Sequence, residues 1–413
     1  MVRIYDRRTL AWFFAGSIVV STMSSSDGFP KLSAAPDQRA TREKPGARLK
    51  SPELSKSSRS PKKASKRDRR IEFFRVPRVV RLEISIEKDD IAKLERSPRE
   101  YVRAVVSEGG YQWRDVGIHL KGQRGSFQGI HGKPALTLNF DKFVKKQRFH
   151  GLDKFHLNNS VQDRSYLCEY ACSEIFRSCG LPASRVTHAT VKLNGFDLGL
   201  YVLREGCDRK FLSAWFYDTS GNLYDGGFCR DIDEGIEKRS GADDESALKE
   251  LIRAVDIRDD KKRRAAIAKI VDVPQFLKFV ALETLTVHWD GYARKANNYK
   301  VYHDPKTSRF VFIPWGMDQM FRSPYSSLEP RMRAVLARRV MSDPEWRAGY
   351  VKQLPKLAAS VDLKALLSRM QAIEKMLKAE DPNVSWDAED LVSRVRDRFE
   401  YVRAQSKAES EPK

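Results

Sequence analysis

After "GNLYDG" (Gly221–Gly226) the apolar residues of this chain change period. Before that point they alternate with polar ones in "VVRLEISI" (Val79–Ile86), "YVRAVVSEGG", "YQWRDVGIHLKG" and "ALTLNF" (Ala135–Phe140), the pattern of half-buried strands. After it, "ESALKELIRAV", "DKKRRAAIAKIV" and "PQFLKFVALETLTVHW" repeat at helical spacing, and the chain closes on "AEDLVSRVRDRFEYVRAQ". Each half holds an exception. The first contains the short helix "EKDDIAKLER" and a helix over Asp163–Gly180, started by Asp163 or Ser165 and ended by Gly180 in a left-handed turn. It also contains a hairpin that turns at Asn194-Gly195. The second contains a hairpin within His288–Phe321. The order predicts an α+β fold in two lobes: a β-rich N-terminal lobe over about 77–228 and a helical C-terminal lobe over about 229–406.

Two stretches carry the residue types of phosphate chemistry. Lys121–Phe140, "KGQRGSFQGIHGKPALTLNF", is a basic glycine-rich loop running into a strand. Glycine allows backbone N–H groups to approach phosphates, and Lys121, Arg124 and Lys133 could counter their charge. A solvated basic face is the simpler alternative for such a run. The second stretch, "HWDGYARKANNYKVYHDPKTSRFVFIPWGMDQMF", supplies Asp290, the pair Asn297 and Asn298, and Asp318. Consecutive residues on a strand face opposite ways, so only one of the two Asn could reach a metal if the strand has begun there. Asp290 is placed to orient or deprotonate a hydroxyl, or else to bond turn amides. Asp318 is placed to bind a metal, or else to cap the segment after it. Protein kinases follow this order: a glycine loop, a strand Lys, a helix Glu, a catalytic Asp, an Asn and a second Asp. Glu169 and Glu174 are the candidates for the helix Glu.

Charge sets the ends apart from the middle. Residues 1–70 hold 17 Lys and Arg against 6 Asp and Glu, about half of the net +21. The remainder is moderately basic, and no helix-turn-helix, RNA-recognition or zinc-finger pattern occurs, so specific nucleic-acid binding is not expected. Arg3, Arg7 and Arg8 followed by "LAWFFAGSIVV" read as an export leader over 1–23, or an uncleaved N-terminal anchor. Residues 24–70 read as a disordered basic linker rich in Ser, Pro, Lys and Arg, suited to an anionic cell-surface polymer, and 407–413 as a flexible tail. The five cysteines leave one over from any full pairing, and no zinc spacing is present.

Four blocks between about Arg81 and Phe321 resemble the CotH kinase family, the spore-coat-protein-H-like atypical kinases. "LKGQRGSF…KPALTLNF" is similar to its R-G-x-S loop and Lys-led strand. "RFHGLDKFHLNNSVQDRSYL" is similar to its L-N-N…D block. "VKLNGFDLGLYVLREGCDRKFL" is similar to its L-N-G…E block, and "DGYARKANNYKVYHDPKTSRFVFIPWGMDQMF" to its Asp…Asn-Tyr strand and P-W-x-x-D turn. The resemblance implies a kinase domain over 71–406 that uses ATP with Mg²⁺ or Mn²⁺ to phosphorylate Ser or Thr of secreted or surface proteins, with the chain itself periplasmic, cell-surface or extracellular. By the same resemblance Asp290 is the catalytic Asp, and Asn298 and Asp318 bind the metal. Lys121, Arg124, Gly125, Ser126, Lys133 and Glu205 contact the nucleotide, Lys133 being the strand lysine. One departure stands out: many members read P-W-D-x-D, whereas Gly316 occupies the first carboxylate's place here. The alternative is a weak or inactive pseudokinase with a structural, surface-binding role.

Overall fold

The alternating segments of the first half close into a barrel. The structure, a computed structural model, describes residues 68–123 and 125–408. The expected leader, the expected linker up to residue 67, Arg124 and residues 409–413 lie outside them. Helix α1 (Arg69–Arg75), capped by the Asp68 carboxylate, takes up the last residues expected as linker. Strands β1 (Val79–Ser85), β2 (Val102–Glu108), β3 (Tyr111–Lys121), β4 (Ala135–Asn139), β5 (Lys154–Asn158), β6 (Val186–Leu193) and β7 (Phe196–Glu205) form a closed barrel in the order β1-β2-β3-β4-β5-β7-β6. Neighbours are antiparallel except β1 and β6, whose parallel ladder from Val79–His188 to Ile84–Leu193 shuts the barrel. Closure removes exposed edges, which otherwise recruit other strands.

Alternation fills the barrel. Leu136 and Leu138 on β4, Phe155 and Leu157 on β5, and Tyr201 and Leu203 on β7 belong to one buried apolar cluster. The residues next to them, Thr137, His156 and, after Leu203, Arg204, therefore point outward and stand side by side in the register Thr137–His156–Arg204. The β6–β7 turn has Asn194 at φ +48° and Gly195 at φ +85°, as the sequence predicts. Strand β5 alternates but is only five residues long, too short to be read from sequence.

Helices α2 (Lys88–Arg96), α3 (Cys168–Ser178) and α4 (Arg209–Leu212) belong to the first half. Helix α3 begins at Cys168, later than expected. Tyr166 has φ +57°, outside the helical region, while the Asp163 carboxylate accepts from the N–H groups of Ser165 and Cys168 at 3.1 and 3.0 Å. Its end matches the sequence, with Gly180 at φ +75°.

The second half carries more sheet than its periodicity predicts. Strands β8 (Leu223–Asp225), β9 (Glu237–Ser240), β10 (Tyr299–Asp304) and β11 (Arg309–Pro314) form a sheet ordered β11-β10-β8-β9. Around it lie α5 (Ser246–Asp256), α6 (Asp260–Ile270), α7 (Val273–Leu285), α8 (Tyr292–Lys295), α9 (Val335–Ser342), α10 (Pro344–Ser360), α11 (Leu363–Glu380) and α12 (Ser385–Ala408). The largest buried apolar cluster joins these helices to α3 and to the outward faces of β6 and β7. No helix among the described residues is long and apolar enough to cross a membrane. All five cysteines are free thiols, four buried and Cys229 exposed.

The end of α7 leads into the second candidate stretch. Val287 has φ +55°, a costly conformation for a β-branched residue, and stops the helix before His288. Arg398 of α12, fully buried, holds this end in place. Its guanidinium donates to the carbonyls of Thr284 at 2.7 Å, Leu285 at 3.2 Å, Pro324 at 2.9 Å and Ser326 at 2.6 Å. A cation there satisfies terminal helix carbonyls that lack intrahelical partners. Arg398→Leu removes donors from four carbonyls, those of Thr284 and Leu285 in buried contacts, so it is expected to cost about 3 kcal/mol. Urea unfolding monitored by circular dichroism measures this.

Candidate functional site

The β10–β11 hairpin brings Asn298 and the turn at Gly316 together. Asn298 precedes β10 at φ +52°, a left-handed position that Asn tolerates. Its carbonyl accepts from the Trp315 N–H at 2.9 Å, which closes the open end of the hairpin. Its side-chain Nδ2 donates to Asp290 Oδ2 at 2.8 Å. Asn297 points elsewhere, and its Oδ1 accepts from the Cys229 N–H at 3.1 Å. The two Asn thus divide the work between a carboxylate and a turn.

Asp290 rests on a buried His. His288, fully buried, lies 3.7 Å from Asp290 Oδ1 and 3.5 Å from Glu283 Oε1. Glu283 accepts from the N–H groups of Tyr292 at 2.8 Å and Ala293 at 2.9 Å, at the start of α8. Burial pushes the Glu283 carboxyl up to about 8 and His288 down to about 3. Asp290 is pushed up to about 6, again chiefly by burial, and its Oδ1 is buried without a hydrogen-bond partner.

Carboxylates crowd around Asp318. Burial, then Glu169, Asp163 and Asp290 in that order, push it up to about 7. Gly316, two residues earlier, has φ +55°, and a Cβ there would lie 2.8 Å from Asn298 Cγ. The place of the family's other Asp is therefore taken by the Asn298 amide.

Cations face these acids. Arg204, 2% exposed, pairs with Glu169 of α3 and lies 3.5 Å from the Trp315 ring centroid. Lys121, at the end of β3, donates to Asn158, and Asn158 donates to Glu169. Lys300 pairs with Asp225 and lies 4.4 Å from the same ring centroid. Burial first, and Arg204 next, push Lys121 down to about 7.

The structure corrects two expectations. Glu205 follows Arg204 on β7 and so faces the other way. It is buried in an ion pair with Arg185 at 2.9 Å, with Arg70 at 3.7 Å, and is not free for a nucleotide. Lys133 lies before β4, not in it. Its ammonium donates to the Tyr166 hydroxyl at 2.9 Å and packs over the Tyr166 and Tyr201 rings, and it forms no ion pair with Glu169 or Glu174. Lys121 lies on the Glu169 side instead. Glu174 sits toward the surface, 3.8 Å from Arg177.

The glycine loop is held from below: Asn159 donates to the carbonyls of Ser126 at 3.1 Å and Lys133 at 2.8 Å. Gly125 has φ +91°, and the Ser126 hydroxyl donates to the Gln123 carbonyl at 3.3 Å. Arg124 lies outside the described residues. Sequence reasoning gave Arg204 no site role, although an Arg at the end of the apolar run "LYVLR" was a signal of a buried charge.

Two predictions follow from this geometry. Gly316→Asp introduces a side chain at positive φ against Asn298, so it is expected to destabilise by about 1–3 kcal/mol, read from urea unfolding. The second concerns pH. An Asp in an unfolded chain titrates near about 4, whereas Asp318 is held near 7. Between those values the fold retains a proton that the unfolded chain has lost, so stability falls as pH rises through the window. Asp163 and Asp290, each pushed up to about 6, act in the same direction. Asp318→Asn is expected to flatten the fall, seen as a smaller loss of melting temperature from pH 5 to pH 8 in EDTA.

The chain is similar to known proteins over most of this region. It is 25% identical over 246 residues to the inner spore coat protein H of Bacillus subtilis, covering 53% of this chain and 66% of that protein. It is 23% identical over 279 residues to invasin CotH7 of Rhizopus delemar, covering 61% of this chain and 46% of that one. It thus spans less than two thirds of either relative. Among solved structures, the Helicobacter pylori proinflammatory kinase CtkA overlaps 67% of this chain and 95% of its own, at 11% identity and a TM-score of 0.34. An overlap that slight assigns no residue. The family profile described as CotH kinase protein matches residues 122–403, well over half of the sequence, and the chain belongs to that family.

Proposed function

We propose that this chain is an ATP-dependent protein kinase that transfers the γ-phosphoryl group to Ser or Thr of secreted or surface proteins, and that it is itself exported. The observation that carries the reading is the meeting of two charge groups. Asp290, Asp318, Asp163 and Glu169 gather on one side, Lys121, Arg204 and Lys300 on the other, and Glu169 touches both. A divalent cation with a triphosphate neutralises both groups at once.

The acid side suits Mg²⁺ or Mn²⁺. Asp290 Oδ1 is buried without a partner, and Asp318 is held near 7 by its acidic neighbours, which a cation relieves. No three of the described His, Cys, Asp and Glu residues form a ready cage. Mg²⁺ commonly binds through one or two carboxylates and completes its shell with phosphates and water. Asp318 and Asn298 would hold it, and when bound it would offset charge on the phosphates. The chain's own residues do the rest. Asn298 fixes the Asp290 carboxylate at 2.8 Å, so that Asp290 can accept the proton of an acceptor hydroxyl.

Surface residence is supported by relatives named as a spore coat protein and an invasin, together with an N-terminal sequence that is basic and then apolar. A second reading, a pseudokinase with a structural role, is favoured by Gly316, whose space the Asn298 amide fills. Radiolabelled ATP with Mg²⁺ or Mn²⁺ and a generic acceptor protein separates the two. Transfer is expected from the natural chain, with Asp290→Ala lowering the rate by about 10²-fold or more and Asp318→Ala also losing activity. Absence of transfer from folded protein with either metal overturns the kinase reading.

A further inference from the structure

We propose that the hollow beside Tyr325 and Tyr401, at the end of α12, binds a pyranose ring of a neutral glycan, stacked on Tyr325. The hollow shares no residue with the acidic and basic groups described above, and it stands whether or not the chain transfers phosphate.

Tyr325 is 65% exposed. A single exposed ring is ordinary on a protein surface, but the backbone of this one is fixed on both sides. Pro324 and Ser326 each give a carbonyl to Nη1 of the buried Arg398, at 2.9 and 2.6 Å. The Ser326 N–H also donates to the Ser323 carbonyl at 3.0 Å, which closes a turn around Tyr325. Tyr401 of α12 stands edge-on to Tyr325, with centroids 5.7 Å apart, and lies 5.6 Å from the same Arg398 guanidinium. Both aromatic residues are thus tied to one buried cation. A tyrosine held in this way offers contact area at little cost in conformational freedom. A hollow of about 440 Å³ opens beside the pair.

The groups around the hollow select the ligand. Glu329 pairs with Arg347, whose Nε and Nη2 both donate to Oε2, so Oε1 keeps its capacity to accept. Ser327 Oγ accepts from the Glu329 N–H at 3.2 Å and keeps its own proton to donate. The Gln405 amide and the two tyrosine hydroxyls make no hydrogen bond among the described residues. The one acid is matched by Arg347, so charge favours neither an anion nor a cation. Apart from the rings, Leu328 is the only apolar side chain of the lining, too little for a lipid or an apolar peptide. A pyranose meets both conditions. Its C–H groups give it an apolar face that lies on an aromatic ring, and the hydroxyls at its edge pair with carboxylate, amide and hydroxyl groups. Such a site would hold the chain to a glycan-bearing surface.

Saturation-transfer difference NMR of the full chain tests this, with maltose, cellobiose, lactose and diacetylchitobiose as probes and poly-L-proline as a peptide control. At least one of the sugars is expected to bind, with the strongest transfer to its ring C–H protons. Tyr325→Ala should weaken that binding by about fivefold or more, while Tyr325→Phe keeps the ring and should bind much as the natural chain does. Gln405→Ala should weaken it by about threefold or more. This exposed variant decides the matter if Tyr325→Ala fails to melt cooperatively. Transfer to none of these sugars overturns the proposal, as does transfer that is equal in the natural chain, Tyr325→Ala and Gln405→Ala. Transfer to poly-L-proline and to no sugar assigns the hollow to a peptide and overturns it as well.

Discussion

One carboxylate ties the parts of this fold together. Glu169 sits on α3, yet it reaches a barrel strand through Arg204 and a second through Asn158, which in turn holds Lys121. Arg204 then lies on Trp315, at the end of the β10–β11 hairpin. Helix, barrel and second sheet are thus joined through a single buried anion. Breaking a buried pair by removing one partner is strongly destabilising, because the remaining charge is left uncompensated. The geometry of the candidate site therefore follows from a structural necessity.

The same linkage explains why the site is built at this place. Barrel closure sends Thr137, His156 and Arg204 outward, and there Trp315 packs on His156 and Arg204 while Glu169 pairs with Arg204. Polar groups on a covered face need partners, and Glu169 and Asn158 supply only some. On the other side, Val287 at φ +55° stops α7 and Arg398 braces its end. His288 and Asp290 thereby lie beneath the hairpin instead of continuing a helix.

Legibility in the sequence followed the range of the forces involved. Gly180 and the Asn194-Gly195 turn were readable because a positive φ is a local demand that few residues meet. The closeness of Asp290, Asn298 and Asp318 was readable because they lie in one short stretch of chain on either side of the β10–β11 hairpin. Glu205 and Lys133 were assigned to the nucleotide by motif position, and their surroundings gave them other partners. Glu205 differs from Arg204 by one step along a strand, which puts it on the opposite face beside Arg185. Lys121 and Lys133 flank the same loop, and only the closed barrel shows which one reaches the Glu169 side. Strand β8 paired with β10 across 75 residues, as between Asp225 and Lys300, which no local pattern records.

The contact between Gly316 and Asn298 also limits what the turn can hold. A chain that lost the first Asp of a P-W-D-x-D turn could in principle regain it by one change. Here the backbone stands at φ +55° and the Asn298 amide lies in the space that a side chain at 316 needs. Regaining the acid requires the turn and Asn298 to shift together, and Asn298 is engaged by Asp290. A side chain at 316 and the Asn298–Asp290 hydrogen bond therefore compete for one space, so position 316 is coupled to Asp290 through Asn298.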